Sequence, residues 1–177
     1  MFCVEIPGGY SFVNIVQFDS SNFNPEAERL EGSGIVGGLA LGFRLYWLTI
    51  GARASIASYF GFEIGTAGID LALHFPIPGV QPYIRAGFGY AWMGDADYMD
   101  PSLSTTDVYG FELDVGAGLD IKLGRVVSLG AGFDAVFLNM TRQGISMAGS
   151  AGSVDLEENG DAVGLQMRIH AHLTFHI

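Results

Sequence analysis

Three histidines, His170, His172 and His176, occupy alternating positions near the end of the chain. Imidazole is the commonest metal ligand and the side chain whose charge changes nearest neutrality. The set therefore raises two chemistries, a metal site or a proton site. Side chains at even spacing on a strand share a face. Separations of two and four residues would nevertheless spread the rings over roughly 7–14 Å. That spread favours separate hydrogen bonds to acids such as Asp120 over one shared ion, so no metal ligand is assigned from sequence. Asp70 and His74 read in the same way. Ser58 could serve as a nucleophile only with a base beside it. The apolar parity that carries it has no His, Asp or Glu, so no catalytic residue is assigned and no enzymatic activity is expected. No phosphate loop or cofactor motif occurs, and Asn139-Met140-Thr141 merely fits a glycosylation pattern. Cys3 is the lone cysteine; it excludes an internal disulfide and reads as a small apolar residue.

The elements that must position these groups are legible from alternation. From Val108 to Asn139, one parity holds Tyr109, Phe111, Leu113, Val115, Ala117, Leu119 and Ile121. After a turn at Leu123-Gly124-Arg125 it resumes with Val127, Leu129, Ala131, Phe133, Ala135 and Phe137. The other parity mixes charge with glycine. Period-2 alternation of this length is a strand signal, and the stretch reads as one long hairpin. The same reading gives a first strand around Phe2–Phe12, with Pro7 implying a bulge or a late start because it cannot donate a ladder hydrogen bond. Further strands begin near Ile35, Leu48, Ala67 and Tyr83, and a closing strand runs from Val163 to Ile177. Long polar connections fall at Gln17–Gly34, Gly94–Asp107 and Thr141–Gly160, the first with a capped helical turn at Asn24–Glu28. Short ones fall at Tyr46-Trp47, Gly61–Glu63, Pro76–Gln81 and Leu123–Arg125.

Eight antiparallel strands with alternating tight and long connections predict an all-β, up-and-down transmembrane β-barrel spanning residues 1–177 as one domain. Charged residues make up 15% of the chain and mean hydropathy is +0.34, yet no apolar run is long enough for a transmembrane helix. A membrane barrel reconciles these facts by spreading its apolar residues over every second position. The net charge of −11 argues against nucleic acid. No leader precedes the first strand, so a mature or trimmed chain is expected in the cell outer membrane.

Which parity faces inward follows from glycine and charge. The polar parity carries Gly38, Gly42, Gly51, Gly87, Gly89, Gly110, Gly116, Gly118, Gly130 and Gly132. Glycine weakens a strand and gains nothing on a solvated face, but the narrow interior of an eight-stranded barrel needs small residues between large ones. The acids of that parity are Glu5, Asp70, Glu112, Asp114, Asp120 and Asp134; its bases are Arg44, Arg53, Arg85, Lys122 and Arg168. Near-balance is what desolvated charges require, so these eleven residues are expected to form a lumen network. Aromatics near strand ends suggest two interfacial belts, Tyr46, Trp47, Phe75, Tyr83 and Phe175 on one side, and Tyr59, Phe60, Phe62, Tyr90, Trp92 and Tyr109 on the other.

With repeats such as Ala86-Gly87-Phe88-Gly89-Tyr90 and Val115-Gly116-Ala117-Gly118-Leu119 and the alternating last strand, nearly the whole chain resembles the small eight-stranded outer-membrane barrels: the OmpA transmembrane domain, OmpX, OmpW and the opacity proteins. In that family the assembly machinery reads an alternating last strand with a terminal aromatic. Ile169, Ala171, Leu173 and Phe175 fit, whereas the final residue is Ile177. The resemblance implies outer-membrane lipid and the assembly machinery as partners, a possible external partner at the loops, and no cofactor. A structural or surface-interacting role is expected first. A narrow route for small or apolar solutes comes second and a lipid-modifying enzyme third.

Overall fold

The computed structural model describes residues 1–17, 29–94, 108–142, 146–147, 154–155 and 160–177. Ten strands are present among the described residues: β1 Phe2–Gln17, β2 Arg29–Leu45, β3 Leu48–Tyr59, β4 Phe62–His74, β5 Val80–Gly94, β6 Val108–Lys122, β7 Val127–Arg142, β8 Ser146–Met147, β9 Val154–Asp155 and β10 Gly160–His176. Eight of them close a barrel in the order β1-β10-β7-β6-β5-β4-β3-β2, all antiparallel. β8 and β9 pair as a two-residue ladder between β7 and β10, within a stretch read from sequence as loop.

Closure fixes the width of the interior. Stepping across paired residues from Cys3 leads through Gly42, Gly51, Asp70, Gly87, Asp114, Val136 and Gln166 back to Val13, ten positions further along β1. Eight strands with that stagger tilt by about 35–45° and leave a bore that side chains can fill. The apolar parity faces outward: Phe88, Leu113 and Phe133 are 51%, 58% and 46% exposed, while Arg85 and Glu112 are 8% and 2% exposed. An outer surface of this composition is stable against acyl chains, and the closed ladder leaves no backbone edge unpaired.

Several strands run further than alternation indicated. A strand needs about 9–11 residues to cross a membrane, whereas β2 has 17. Where it extends past the apolar band its outward residues turn polar, and the alternation signal fades. Glu31 there accepts from Asn14 at 3.1 Å, and Ser33 accepts from Tyr10 at 3.1 Å. Residues 29–34 are therefore strand and not loop, while Asn24–Glu28 lies outside the described residues. Pro7 produces neither a bulge nor a late start. β1 begins at Phe2 and keeps one register with β10 throughout, and only its ladder to β2 lapses, at Ile6 and Pro7. The connection after β3 is a two-residue turn, Phe60-Gly61, with Gly61 at φ 89°. Glu63 thereby belongs to β4. The opposite end has the Tyr46-Trp47 turn, with Tyr46 at φ 54°, and Gly79 at φ 84°.

Candidate functional site: a filled lumen

The inward side chains stack as a polar layer of two levels and an apolar layer beyond it. At the end that holds both termini, Cys3 Sγ lies 3.4 Å from His176 Nδ1, and Ser128 Oγ lies 2.9 Å from His176 Nε2. Arg44 donates to Gln81 Oε1 at 2.9 Å and to the Tyr46 carbonyl at 3.3 Å. His74 lies 3.1 Å from Thr49 Oγ1 and 3.5 Å from Asp120. Asp120 accepts a hydrogen bond from His172 Nε2 at 2.7 Å.

The central level is ionic. Arg85 grips Asp134 through two parallel hydrogen bonds, Nε–Oδ1 being 2.8 Å, and stands 3.8 Å from Glu5. Asp134 also lies 3.3 Å from His170 Nδ1. Arg53 pairs with Asp114 at 2.7 Å, and Arg168 lies 3.7 Å from Glu112 while donating to Gln166 at 2.7 Å. Asp70 is placed beside Gly51, and its Oδ1 has no hydrogen-bond partner. Of the eleven residues assigned to the lumen network, ten line the interior. Lys122 does not: it is exposed at the end of β6. Its strand runs out into the turn there, so its inward parity carries no burial. Arg44 is inside but bonds an amide and a carbonyl, not an acid.

Above Arg168 the charges end. Gln166 donates to Ser11 at 3.0 Å and to the Tyr59 hydroxyl at 2.6 Å, and Ser11 and Tyr59 lie 2.6 Å apart. The Tyr59 ring stacks on Phe62 at 4.7 Å. Beyond it Val13, Ile15, Ile64, Val136, Leu138 and Met140 form an apolar layer across the bore, on the side of the long connections. Tyr59, Phe62 and Tyr83, placed in the aromatic belts from sequence, are buried inside instead. Their strand-end positions suggested a belt, but their parity is inward. Tyr46, Trp47 and Phe75 remain exposed at one end, and Phe60, Tyr90 and Trp92 at the other. The apolar layer had a signal: after Asp134 the inward parity of β7 continues Val136, Leu138, Met140, while the outward parity passes from Ala135 and Phe137 to Asn139 and Thr141, so the alternation is lost and then inverts. Tyr59→Phe should cost about 1–2 kcal/mol, since one buried hydrogen-bonding hydroxyl is lost while Ser11 and Gln166 keep each other; the urea midpoint of micelle-refolded protein measures it.

On the outer face, Ser58 hydrogen-bonds Glu63, its cross-strand neighbour. The acid was hidden from the parity argument because Glu63 read as loop. All four histidines lie along the lumen and none stands beside Ser58.

No protein-family model matches the chain, and no curated protein matches it in sequence. Solved structures do match it in shape. Neisserial surface protein A superposes with a TM-score of 0.65 at 12% identity, over 99% of this chain and 97% of that one. The outer membrane protein AlkL, determined in lipid bilayers, gives 0.52 at 14% identity over 98% and 90%. The chain has the fold of the eight-stranded outer-membrane barrels. At such identities that statement concerns the backbone. Within this barrel fold, the lumen chemistry described above is this chain's own.

Proposed function

We propose that the chain is an outer-membrane barrel with a closed bore, acting at the cell surface through the segments that join β1 to β2, β5 to β6 and β7 to β10. The observation that carries this reading is the two-layer filling of the lumen. A solute would have to break the Arg85–Asp134 and Arg53–Asp114 pairs and then displace Ile64, Leu138 and Met140, which are at most 1% exposed. The joining segments hold much of the acidic surplus, among them Asp19, Glu26, Glu28, Asp95, Asp97, Asp100, Glu157 and Glu158. Excess charge kept outside the lumen suits contact with a cationic or cation-bridged surface partner. Outer-membrane lipid would cover the apolar band. The assembly machinery would read β10, whose outward row is Ile169, Ala171, Leu173 and Phe175.

A second reading has one observation in its favour. A groove of about 1010 Å³ runs over the outer face of β7, β10, β1 and β2, lined by Phe12, Val16, Phe137, Val163 and Met167 with Asn14 and Glu31 beside them. Such a surface could guide an apolar solute along the wall without opening the bore. Catalysis on lipid is disfavoured because Ser58 has a carboxylate neighbour and no imidazole to take its proton. Refolded protein in a planar bilayer should show no stepwise conductance. Stable single-channel steps in the same preparation would overturn the closed-bore reading.

A further inference from the structure

Glu5, His170 and His172 each place a potential ligand atom within 4.8 Å of the other two. Sequence spacing argued for dispersed rings, yet the His170 and His172 ring centroids are 5.5 Å apart, and Glu5 joins them from the neighbouring strand β1. The same three residues also carry free valences. Asp134 lies at Nδ1 of His170 and Asp120 at Nε2 of His172. A carboxylate accepts, so each of those nitrogens carries the proton and the opposite nitrogen keeps its lone pair. Those opposite atoms, His170 Nε2 and His172 Nδ1, are buried without a hydrogen-bond partner, and so is Glu5 Oε1. An imidazole held by a carboxylate on one nitrogen and open on the other is the usual arrangement of a metal-ligating histidine.

The surroundings supply a further free donor, a small cavity nearby and charge for an ion. Gly132 has no side chain, and Tyr83 Oη and His170 Nε2 close in over its bare backbone: a Cβ there would meet them at 2.5 Å and 2.9 Å. Tyr83 Oη has no partner either. A cavity of about 40 Å³, lined by Cys3, Glu5, His74, Tyr83 and Asp120 among others, lies between this cluster and the end of the barrel that carries the termini. With Lys122 outside, the described lumen sets six carboxylates (Glu5, Asp70, Glu112, Asp114, Asp120, Asp134) against four guanidiniums (Arg44, Arg53, Arg85, Arg168). With all six ionised and the histidines neutral, the difference is two negative charges, the charge of one divalent ion. The opposing factor is Arg85, 3.8 Å from the same Glu5 oxygen. Its doubly bonded grip on Asp134 holds it to the other side.

We propose that Glu5, His170 and His172 form a binding site for a divalent transition ion of the zinc class, independent of the surface role above. Two imidazoles and a carboxylate are a zinc-type donor set that leaves a fourth position open, and they match Mg²⁺ or Ca²⁺ poorly. Zinc–nitrogen bonds of about 2.0–2.1 Å hold tetrahedral ligands about 3.4 Å apart, so binding requires the three side chains to close in by about an ångström. The fourth position would face the unpartnered Tyr83 hydroxyl. The test uses untagged full-length protein, refolded in detergent, stripped with chelator and kept in excess Mg²⁺ and Ca²⁺. Co²⁺ should bind at one equivalent with visible absorption bands of a low-coordinate site, and one equivalent of Zn²⁺ should abolish them. Glu5→Gln and His170→Gln should each weaken binding by at least about tenfold, while His176→Gln leaves it unchanged. Heat-modifiable gel mobility reports folding, and if His170→Gln does not fold, Glu5→Gln decides. No stoichiometric binding, or binding that survives Glu5→Gln or is lost with His176→Gln, overturns the proposal.

Discussion

Arg85→Met is expected to lower the unfolding free energy of the detergent-refolded barrel by about 3–5 kcal/mol, the usual cost of removing one partner of a buried ion pair. The substitution keeps most of the side-chain volume and removes only the guanidinium. Asp134, 1% exposed, would then retain His170 alone, and Glu5 would lose its nearest cation. Methionine offers no donor to either acid, so the uncompensated carboxylate carries nearly the whole effect. The urea midpoint, at an unchanged dependence on denaturant, reads it. The companion variant Arg85→Met/Asp134→Leu removes both charges, and replacing a buried pair by apolar groups is often neutral or stabilising. It should restore at least half of the loss, with His170 freed of its carboxylate as the residual defect. A single variant within about 1 kcal/mol of the parent would mean that water reaches the pair and screens it, and the filled-lumen description would be wrong.

The architecture was legible because two requirements act on alternate residues of the same strands. Outward positions such as Phe88 and Leu113 had to be apolar, and inward positions such as Arg85 and Glu112 had to be paired, so period-2 alternation carried the orientation. Where the requirements coincide the signal disappears. Val136 faces inward but is as apolar as Phe137 outside, and beyond that pair the alternation inverts, with Leu138 and Met140 inward and Asn139 and Thr141 outward, so parity no longer separated the apolar layer of the lumen from the wall. Glu31 and Glu63 were lost for the converse reason, since above the membrane band the outward face is polar too. The cluster of Glu5, His170 and His172 was illegible on other grounds. Spacing along β10 predicts how far the backbone carries the rings apart, not how the side chains lean toward one another or what a neighbouring strand adds. β1 pairs with β10 in a register that sets Glu5 opposite Thr174 and Pro7 opposite His172. That register depends on chain closure, which no local pattern encodes.

The inward glycines make a sharper prediction, because they determine which charges can meet. Gly116 pairs with Arg85 on one side and Asp134 on the other. The two ions sit on strands separated by β6, and they join by crossing over the bare backbone of that residue. Gly130 stands in the same relation to Asp120 and His172, and the bond between those two likewise passes over it. A Cβ at Gly116 would run into the Asp134 carboxylate, the Phe133 carbonyl at 2.9 Å and Arg85 Cγ at 3.2 Å. Side chains could give way, but the carbonyl belongs to the ladder and cannot. Gly116→Val should therefore separate the pair and strain the sheet together, costing more than about 4 kcal/mol, in the range that marks a disrupted buried network. Refolding yield, read from heat-modifiable mobility, should collapse. Gly37 provides the contrast: it lies on the outward parity of β2 with nothing within 4 Å of a built Cβ. Gly37→Val adds a β-branched residue to an open, apolar-facing strand position and should refold as well as the parent, with stability within about 0.5 kcal/mol or above it. If both valines were tolerated alike, or both failed alike, glycine content would reflect strand composition alone. A wide gap between them ties Gly116 to the ion pair that meets across it.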